Sequence, residues 1–460
     1  MRLAAAATVA LVLGVGCTVP TPRPATTPVT PAAASPKPAA GPTRIADLDG
    51  DGLADLVSVD PGFTPDNPEQ PPAREGGVQV VLSSGSSHRV SMSDLGLAWS
   101  DSTAFGVGSL VADLNRDGYA DVVVSDPTRE PEGDSRGAVY VLWGGPEGIS
   151  ADRFETLAVG AEGSYTGRAL ALVTDPDPVL AVGIGEGVTR GVALYPVRPD
   201  GGLGTPRFVG PARSGIPGEP HRDSAFGSVL VAGGDQLVVG DPGARVAGAA
   251  RAGAVTVLRP GVDGFAPLQF SEATAGVPGA PEAGDAFGSS LSLRDGLLAV
   301  GAPGEDVGSY GDAGRVYLFS LTDGGPSFQS SLTQEGAGAP GRPGQAHRFG
   351  EALLIFRPCE PGQGLLVSAP GETVDLQGHQ GAVHVVPLRD GCAAASLTLP
   401  VTGIQPLGFA GSLTALRSVR TDQVESIAVV VDGGVAVLDP PFSRVTARHA
   451  LDGRLVAPAG

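Results

Sequence analysis

The stretch Phe287-Gly288-Ser289-Ser290-Leu291-Ser292-Leu293-Arg294-Asp295-Gly296-Leu297-Leu298-Ala299-Val300-Gly301-Ala302-Pro303, followed by Gly314-Arg315-Val316-Tyr317-Leu318-Phe319-Ser320-Leu321, decides how this chain is read. It holds an aromatic-Gly pair, an apolar run closing on small residues and Pro, and a second apolar run opening on Gly. The same order recurs along the chain. The aromatic pair returns as Phe105-Gly106, Tyr165-Thr166-Gly167, Phe226-Gly227, Phe349-Gly350 and Phe409-Ala410-Gly411, so the aromatics stand at almost equal intervals. The first apolar run ends at Pro127, Gly185, Pro242, Pro303, Pro370 and Gly433; the second opens at Gly137, Gly191, Gly253, Gly314, Gly381 and Gly434. A period this regular marks tandem structural units.

One more copy stands upstream. It has ADLVSVDP ending at Pro61 and GVQVVLSS from Gly77, but TRIADLD near Arg44 replaces the aromatic pair. Seven copies of nearly equal length therefore fill residues 41–460. Short β-rich runs bounded by Gly and Pro read as strands. Three clear strands per copy and a weaker fourth, as in RVSMSDL around Val90 and RVTARHAL around Val445, match one four-stranded propeller blade. The expected fold is all-β: a seven-bladed β-propeller of four-stranded antiparallel blades. β-Helix periods are shorter and a sandwich shows no sevenfold repeat. With two tryptophans and no paired glycines in register, WD and kelch punctuation are also excluded.

An aromatic-Gly pair followed one hairpin later by Gly-Ala-Pro resembles the FG-GAP repeat of the integrin alpha-subunit N-terminal propeller, which also occurs in many bacterial exported proteins. Phe287-Gly288 with Gly301-Ala302-Pro303 is the fullest copy, and the resemblance covers residues 44–450. Its weakest units are the first, without the aromatic pair, and the last, with Phe409-Ala410 and Val431-Asp432-Gly433. The resemblance implies calcium loops in β-hairpins and an extracellular binding role. Integrins carry such loops in their later blades, whereas here they fall in the first two.

Those loops are Asp47-Leu48-Asp49-Gly50-Asp51-Gly52-Leu53-Ala54-Asp55 and Asp113-Leu114-Asn115-Arg116-Asp117-Gly118-Tyr119-Ala120-Asp121. Oxygen donors stand at positions 1, 3, 5 and 9 of each, with Asn115 at position 3 of the second. Alternating oxygens on a tight Gly-containing loop can converge on one hard cation, the carbonyls of Leu53 and Tyr119 at position 7 completing a Ca²⁺ shell. An EF-hand would need flanking helices and a Glu at position 12; Ser58 and Val124 stand there, inside strand patterns. Two structural Ca²⁺ sites are expected, each neutralising its loop and holding two strands in register. No other copy carries the pattern: Asp175-Pro176-Asp177 is too short and Gly233-Gly234-Asp235 has one carboxylate.

Composition agrees with a periodic β protein. Gly and Pro make up 112 of the 460 residues, about twice the usual share, so long helices are excluded. Hydrophobic residues at 42% argue against disorder, and with only 22 aromatic residues the core must be built of Val, Leu and Ala. A net charge of −19 excludes nucleic acid and anionic lipid as electrostatic partners.

Residues 1–17 read as an export signal: Met1-Arg2, an apolar run from Leu3 to Gly16 too short to span a bilayer, then Cys17. LGVGC resembles a lipoprotein cleavage site with Cys17 lipidated, although Gly14 stands where Leu, Val or Ile is usual; ordinary secretion is the alternative. A lipid on Cys17 would be the only membrane attachment. Residues 18–43, with eight prolines, form an extended Pro/Thr/Ala-rich linker, and residues 44–460 the propeller. Cys359 and Cys392, an even pair in an exported chain, are expected to form a disulfide, with two separate buried thiols as the alternative.

The longest loops lie on the rim opposite the calcium loops and carry Asp134, Arg136, His221, Arg222, Asp223, Glu305, Asp306, Tyr310, His347 and Arg348. Catalytic patterns are missing. Gly133-Asp134-Ser135-Arg136-Gly137 has the letters of a nucleophile elbow, but its Ser sits in a loop entering a strand, and the six histidines form no metalloprotease pair. The expected function is a surface-exposed, non-enzymatic binding or adhesion module for an extracellular protein or glycan. The alternatives are an exported hydrolase or lyase using the propeller channel, and a scaffold subunit of an envelope complex.

Overall fold

The computed structural model describes residues 47–388 except 54, 61–74, 100–104, 107, 129–136, 158–165, 185–189, 199–200, 212–215, 218–220, 262–265, 336–340, 357–361 and 373–380, together with the backbone of five later strands. The expectations for Cys17, Cys359, Cys392, the export signal and the 18–43 linker lie outside the described residues. The chain divides into residues 1–39 and 40–460, and the second unit is the one described.

Seven antiparallel sheets follow one another in chain order, with no helix among the described residues. The first holds β1 (Leu56–Asp60), β2 (Gly77–Val81) and β3 (Ser87–Ser91). The second holds β4 (Ser109–Ala112), β5 (Asp121–Asp126), β6 (Ala138–Leu142) and β7 (Phe154–Leu157). The third runs β8 (Leu170–Val173), β9 (Val179–Ile184), β10 (Gly191–Pro196), β11 (Arg207–Val209). The fourth runs β12 (Val229–Gly233), β13 (Gln236–Asp241), β14 (Ala254–Leu258), β15 (Leu268–Phe270). The fifth runs β16 (Ser290–Arg294), β17 (Leu297–Ala302), β18 (Arg315–Thr322), β19 (Gly325–Leu332). The sixth runs β20 (Leu353–Phe356), β21 (Gly364–Ala369), β22 (Ala382–Pro387), β23 (Thr398–Pro400). The seventh runs β24 (Leu413–Arg417), β25 (Glu425–Val431), β26 (Gly434–Leu438), β27 (Ala447–Ala450).

Each strand pairs with the next in sequence, and the opening strands of successive sheets stand beside one another: β4 by β8, β8 by β12, β12 by β16, β16 by β20 and β20 by β24. The repeat unit read from the aromatic spacing is thus one sheet. The recurring weak run is its last strand, as β3 and β27 show.

Side-chain alternation explains why the sheets stack. In β17, Leu298, Val300 and Ala302 join Val255, Val257 and Phe270 of the fourth sheet, while Leu297 and Ala299 join Leu353, Ile355 and Val367 of the sixth. A strand buried on both faces reads as a continuous apolar run rather than an alternating one. Accordingly β5, β9, β17 and β21 are buried along their whole length.

The aromatic-Gly pair joins two sheets by backbone. The Phe287 N–H donates to the Ala252 carbonyl ahead of β14 (2.8 Å), and the next N–H, of Gly288, donates to Gly301 at the end of β17 (2.9 Å). Phe349 and Gly350 repeat this one sheet later, onto Ala313 (2.9 Å) and Ser368 (3.0 Å). Sending consecutive N–H groups in two directions needs a left-handed turn, and Gly288 has φ +87°. A Cβ there would meet Val255 Cγ2 at 2.8 Å. The first Gly of Gly-Ala-Pro is small for a neighbouring reason: a Cβ on Gly301 would lie 2.2 Å from the Gly350 carbonyl oxygen, and one on Gly240 2.3 Å from that of Gly288. The hairpin of β16 and β17 lies between the two halves of the motif and folds them back together in space.

Candidate metal centres

The first acidic loop leads into β1 and the second into β5. Asp47 closes its loop by accepting from Gly50 N (2.8 Å) and Gly52 N (2.9 Å), and Asp113 does the same with Asp117 N and Gly118 N (both 3.0 Å). Position 5 accepts from position 7 in each: Leu53 N to Asp51 Oδ1 (2.7 Å) and Tyr119 N to Asp117 Oδ1 (2.9 Å). Position 9 reaches back. Asp55 accepts from Leu48 N (2.7 Å) and Ser83 N (2.8 Å); Asp121 accepts from Leu114 N (2.9 Å) and Gly144 N (2.8 Å). Ser83 and Gly144 sit in the turns after β2 and β6, so position 9 pins each acidic loop to the other turn at the same end of its sheet.

Of the predicted ligands, Asp47, Asp49 and Asp55 bring carboxylate oxygens within 4.8 Å of one another. Asp51 turns aside and takes a hydrogen bond from Ser83 Oγ. In the second loop Asn115 Nδ2 donates to Asp117 Oδ2 (3.1 Å), and Asp117 N also donates to Asn115 Oδ1 (3.1 Å). All donors in both loops are hard oxygens of the kind Ca²⁺ takes, so the residues present fit that ion. Burial raises the Asp47, Asp55 and Asp113 carboxyls above the usual range, against the pull of their backbone N–H bonds, with the other carboxylates of each loop adding to the rise. Asp121, fully buried, is pushed up to about 7.

The two loops touch. Ala120 N donates to the Asp47 carbonyl (2.7 Å), Gly145 N to that of Leu48 (3.2 Å), and the Tyr119 ring lies where a Cβ on Gly50 would come within 2.7 Å. The string continues outward: Arg116 Nη2 donates to the carbonyls of Thr174 and Pro176, and Thr174 N (3.1 Å) and Asp175 N (3.2 Å) donate to that of Gly234. The short Asp175-Pro176-Asp177 and Gly233-Gly234-Asp235 turns, lacking the ligand pattern, thus still serve as links in one chain of loops.

A third carboxylate group has no counterpart among the sequence motifs. Glu272 after β15, Asp285 ahead of the Phe-Gly pair and Glu305 after β17 lie within 4.8 Å of one another, all buried. Tyr317 OH donates to Glu272 Oε1 (2.8 Å), and Arg315 Nη1 pairs with Glu305 Oε1 (3.1 Å). Burial first, and mutual repulsion next, push Glu272 up to about 9; burial pushes Glu305 up to about 7 despite Arg315. The three acids stand too far apart in the chain to make a linear motif, and only an overlay of the repeats would have revealed them. In the sixth sheet the corresponding positions hold Gln334, His347, Glu372 and His384. Gln334 Nε2 bonds Glu372 Oε2 (2.8 Å), His384 Nε2 lies 2.6 Å from the same oxygen, and His347 Nδ1 lies 2.9 Å from Gln334 Oε1. His347 is therefore held in this network, whereas His221 stands at the surface, its Nδ1 3.3 Å from Asp223 Oδ2.

The FG-GAP repeat family model matches residues 105–142 and again 277–319. Integrin alpha-PS2 of Drosophila melanogaster is 36% identical over 152 residues, which are 30% of this chain and 11% of that protein, so the chain spans about a tenth of the length of this curated relative. Among solved structures, similar chains include a Bacteroides fragilis protein assigned as a 6-phosphogluconolactonase (TM-score 0.46, 12% identity, 85% of this chain and 93% of that one) and the periplasmic gluconolactonase of Pseudomonas aeruginosa (TM-score 0.43, 16% identity, 81% and 90%).

Proposed function

We propose, from the premise that this chain carries FG-GAP repeats and resembles an integrin alpha subunit, that it is an exported, calcium-stabilised seven-bladed propeller acting as a non-enzymatic binding module for protein or glycan. The observation that carries the reading is the backbone joint between sheets, in which Phe287-Gly288 and, one sheet later, Phe349-Gly350 each bond the preceding sheet and their own. A joint repeated from sheet to sheet favours radial repetition of blades. Lipid on Cys17 and the 18–43 linker would hold the propeller off the cell surface, exposing the rim that the long loops build. On that rim consecutive sheets present matching small turns, closed by Val246 with Ala249 and by Val307 with Tyr310, and the Tyr310 side chain is 42% exposed. An exposed aromatic on a rigid turn is well suited to protein or glycan contact.

The residues that would hold Ca²⁺ are Asp47, Asp49, Asp51, Leu53 and Asp55 in the first loop, and Asp113, Asn115, Asp117, Tyr119 and Asp121 in the second. The bound ion would neutralise carboxylates that otherwise repel. Removing it is expected to lower stability by about 2.7 kcal/mol per site when free Ca²⁺ had stood a hundredfold above Kd. A thermal midpoint unchanged by EDTA, or Asp49→Ala and Asp117→Ala variants that bind as much Ca²⁺ as the parent, would overturn this. For the binding role, a glycan array and a matrix-protein screen with and without Ca²⁺ should each return saturable, calcium-dependent capture or none. Multi-turnover cleavage in a glycan or ester panel would instead make the protein an enzyme.

A further inference from the structure

Glu272, Asp285 and Glu305 are 3%, 2% and 6% exposed, and among the described residues one guanidinium, Arg315, pairs with them. Tyr317 OH donates to Glu272 Oε1, but the buried Glu272 Oε2 has no hydrogen-bond partner among the described residues. Burying uncompensated carboxylates is costly unless a cation or a donor faces them. The sixth sheet shows how the same place is satisfied from within: Gln334 stands for Glu272, His347 for Asp285 and His384 for Tyr317, leaving one carboxylate, Glu372, with two nitrogen partners. The fifth sheet has three carboxylates and none of those nitrogens.

We propose that Glu272, Asp285 and Glu305 form a third cation site, taking a hard divalent ion at the joint between the fourth and fifth sheets. The ligand set is all oxygen, with carboxylate oxygens of the three residues within 4.8 Å of one another, which selects Ca²⁺ or Mn²⁺ over softer metals. Access is short. Gly279 is exposed, yet a Cβ on it would come within 3.4 Å of Glu305 Oε1 and 3.2 Å of Tyr317 OH, so solvent-exposed backbone lies directly against the cluster. The site lies apart from the acidic loops and does not depend on them.

The test is equilibrium dialysis of the full chain against Ca²⁺ and, separately, Mn²⁺. The chain carrying Asp49→Ala and Asp117→Ala should retain one bound equivalent, and adding Glu272→Gln should abolish it; Glu282→Gln, on an exposed neighbour, should not. The otherwise unaltered chain should likewise lose one equivalent on Glu272→Gln. A transplant of the sixth-sheet solution, Glu272→Gln with Asp285→His and Tyr317→His, should fold and bind no ion here. Zero equivalents in the loop-altered chain, or an equivalent that survives Glu272→Gln, overturns the site and leaves protons as what satisfies the cluster. Failure of the loop sites alone would read differently, as one equivalent both with and without the loop substitutions.

Discussion

Phe287→Ala is expected to lower the unfolding free energy by about 4 kcal/mol, the cost of deleting a fully buried aromatic side chain that its surroundings cannot close over. Phe287 has no exposed surface, and its ring meets Phe270 of the fourth sheet edge-on at 5.9 Å, and Tyr317 and Phe319 of its own sheet at 5.2 and 6.3 Å. Those partners stand on rigid strands of two sheets, so the cavity would open between layers rather than within one. Edge-to-face pairs add about 0.5–1.5 kcal/mol beyond area burial. Urea unfolding should show the midpoint falling with its slope unchanged. Phe328→Ala is the comparison: that ring is only partly buried and packs on Phe319 alone among the described rings. A Phe287 cost below about 2 kcal/mol, under the range for deleting a buried aromatic, or one equal to that of Phe328, would show that the aromatic is not the anchor of the joint.

Asp121→Ala is expected to cost about 3 kcal/mol in calcium-free buffer. The carboxylate takes the N–H groups of Leu114 and Gly144, both buried, and alanine leaves the two donors without acceptors at about 1–3 kcal/mol each. Part of that loss is offset, because the carboxyl is itself buried and pushed up to about 7, so its removal relieves a desolvation cost. Asp121→Asn keeps one acceptor oxygen and should cost roughly half as much. Chemical denaturation of the three proteins in EDTA would measure the order; equal costs for Asn and Ala would mean that the clamp is not made by the two N–H bonds.

The sheets were legible because the features that end and join strands are carried by residue type. Phe287-Gly288 and Gly301-Ala302-Pro303 stand out without any knowledge that Gly288 N–H bonds the Gly301 carbonyl, since the turn and the close approach each demand glycine. The acidic loops were legible for a similar reason, their donors being local and at alternating positions. Two things were not. Asp55 and Asp121 also take backbone partners from the turn two strands on, and a backbone N–H has no letter of its own. The Glu272 cluster draws one residue from each of three segments, so each acid alone looks like surface charge. Its counterpart around His384 hides equally well, as a buried histidine in a strand pattern.

The joint at Phe287 and Phe349 also bears on where such a chain can be cut and recombined. Both of these aromatic-Gly pairs are bonded to two sheets at once, so the piece that can be exchanged intact does not coincide with the period seen in the letters. A chimera spliced just before Phe287 would separate its N–H from the Ala252 carbonyl and its Gly from the Val255 side chain it was shaped to meet. One spliced within a long rim turn would carry the whole joint across. The natural building block therefore runs from the middle of one sheet to the middle of the next.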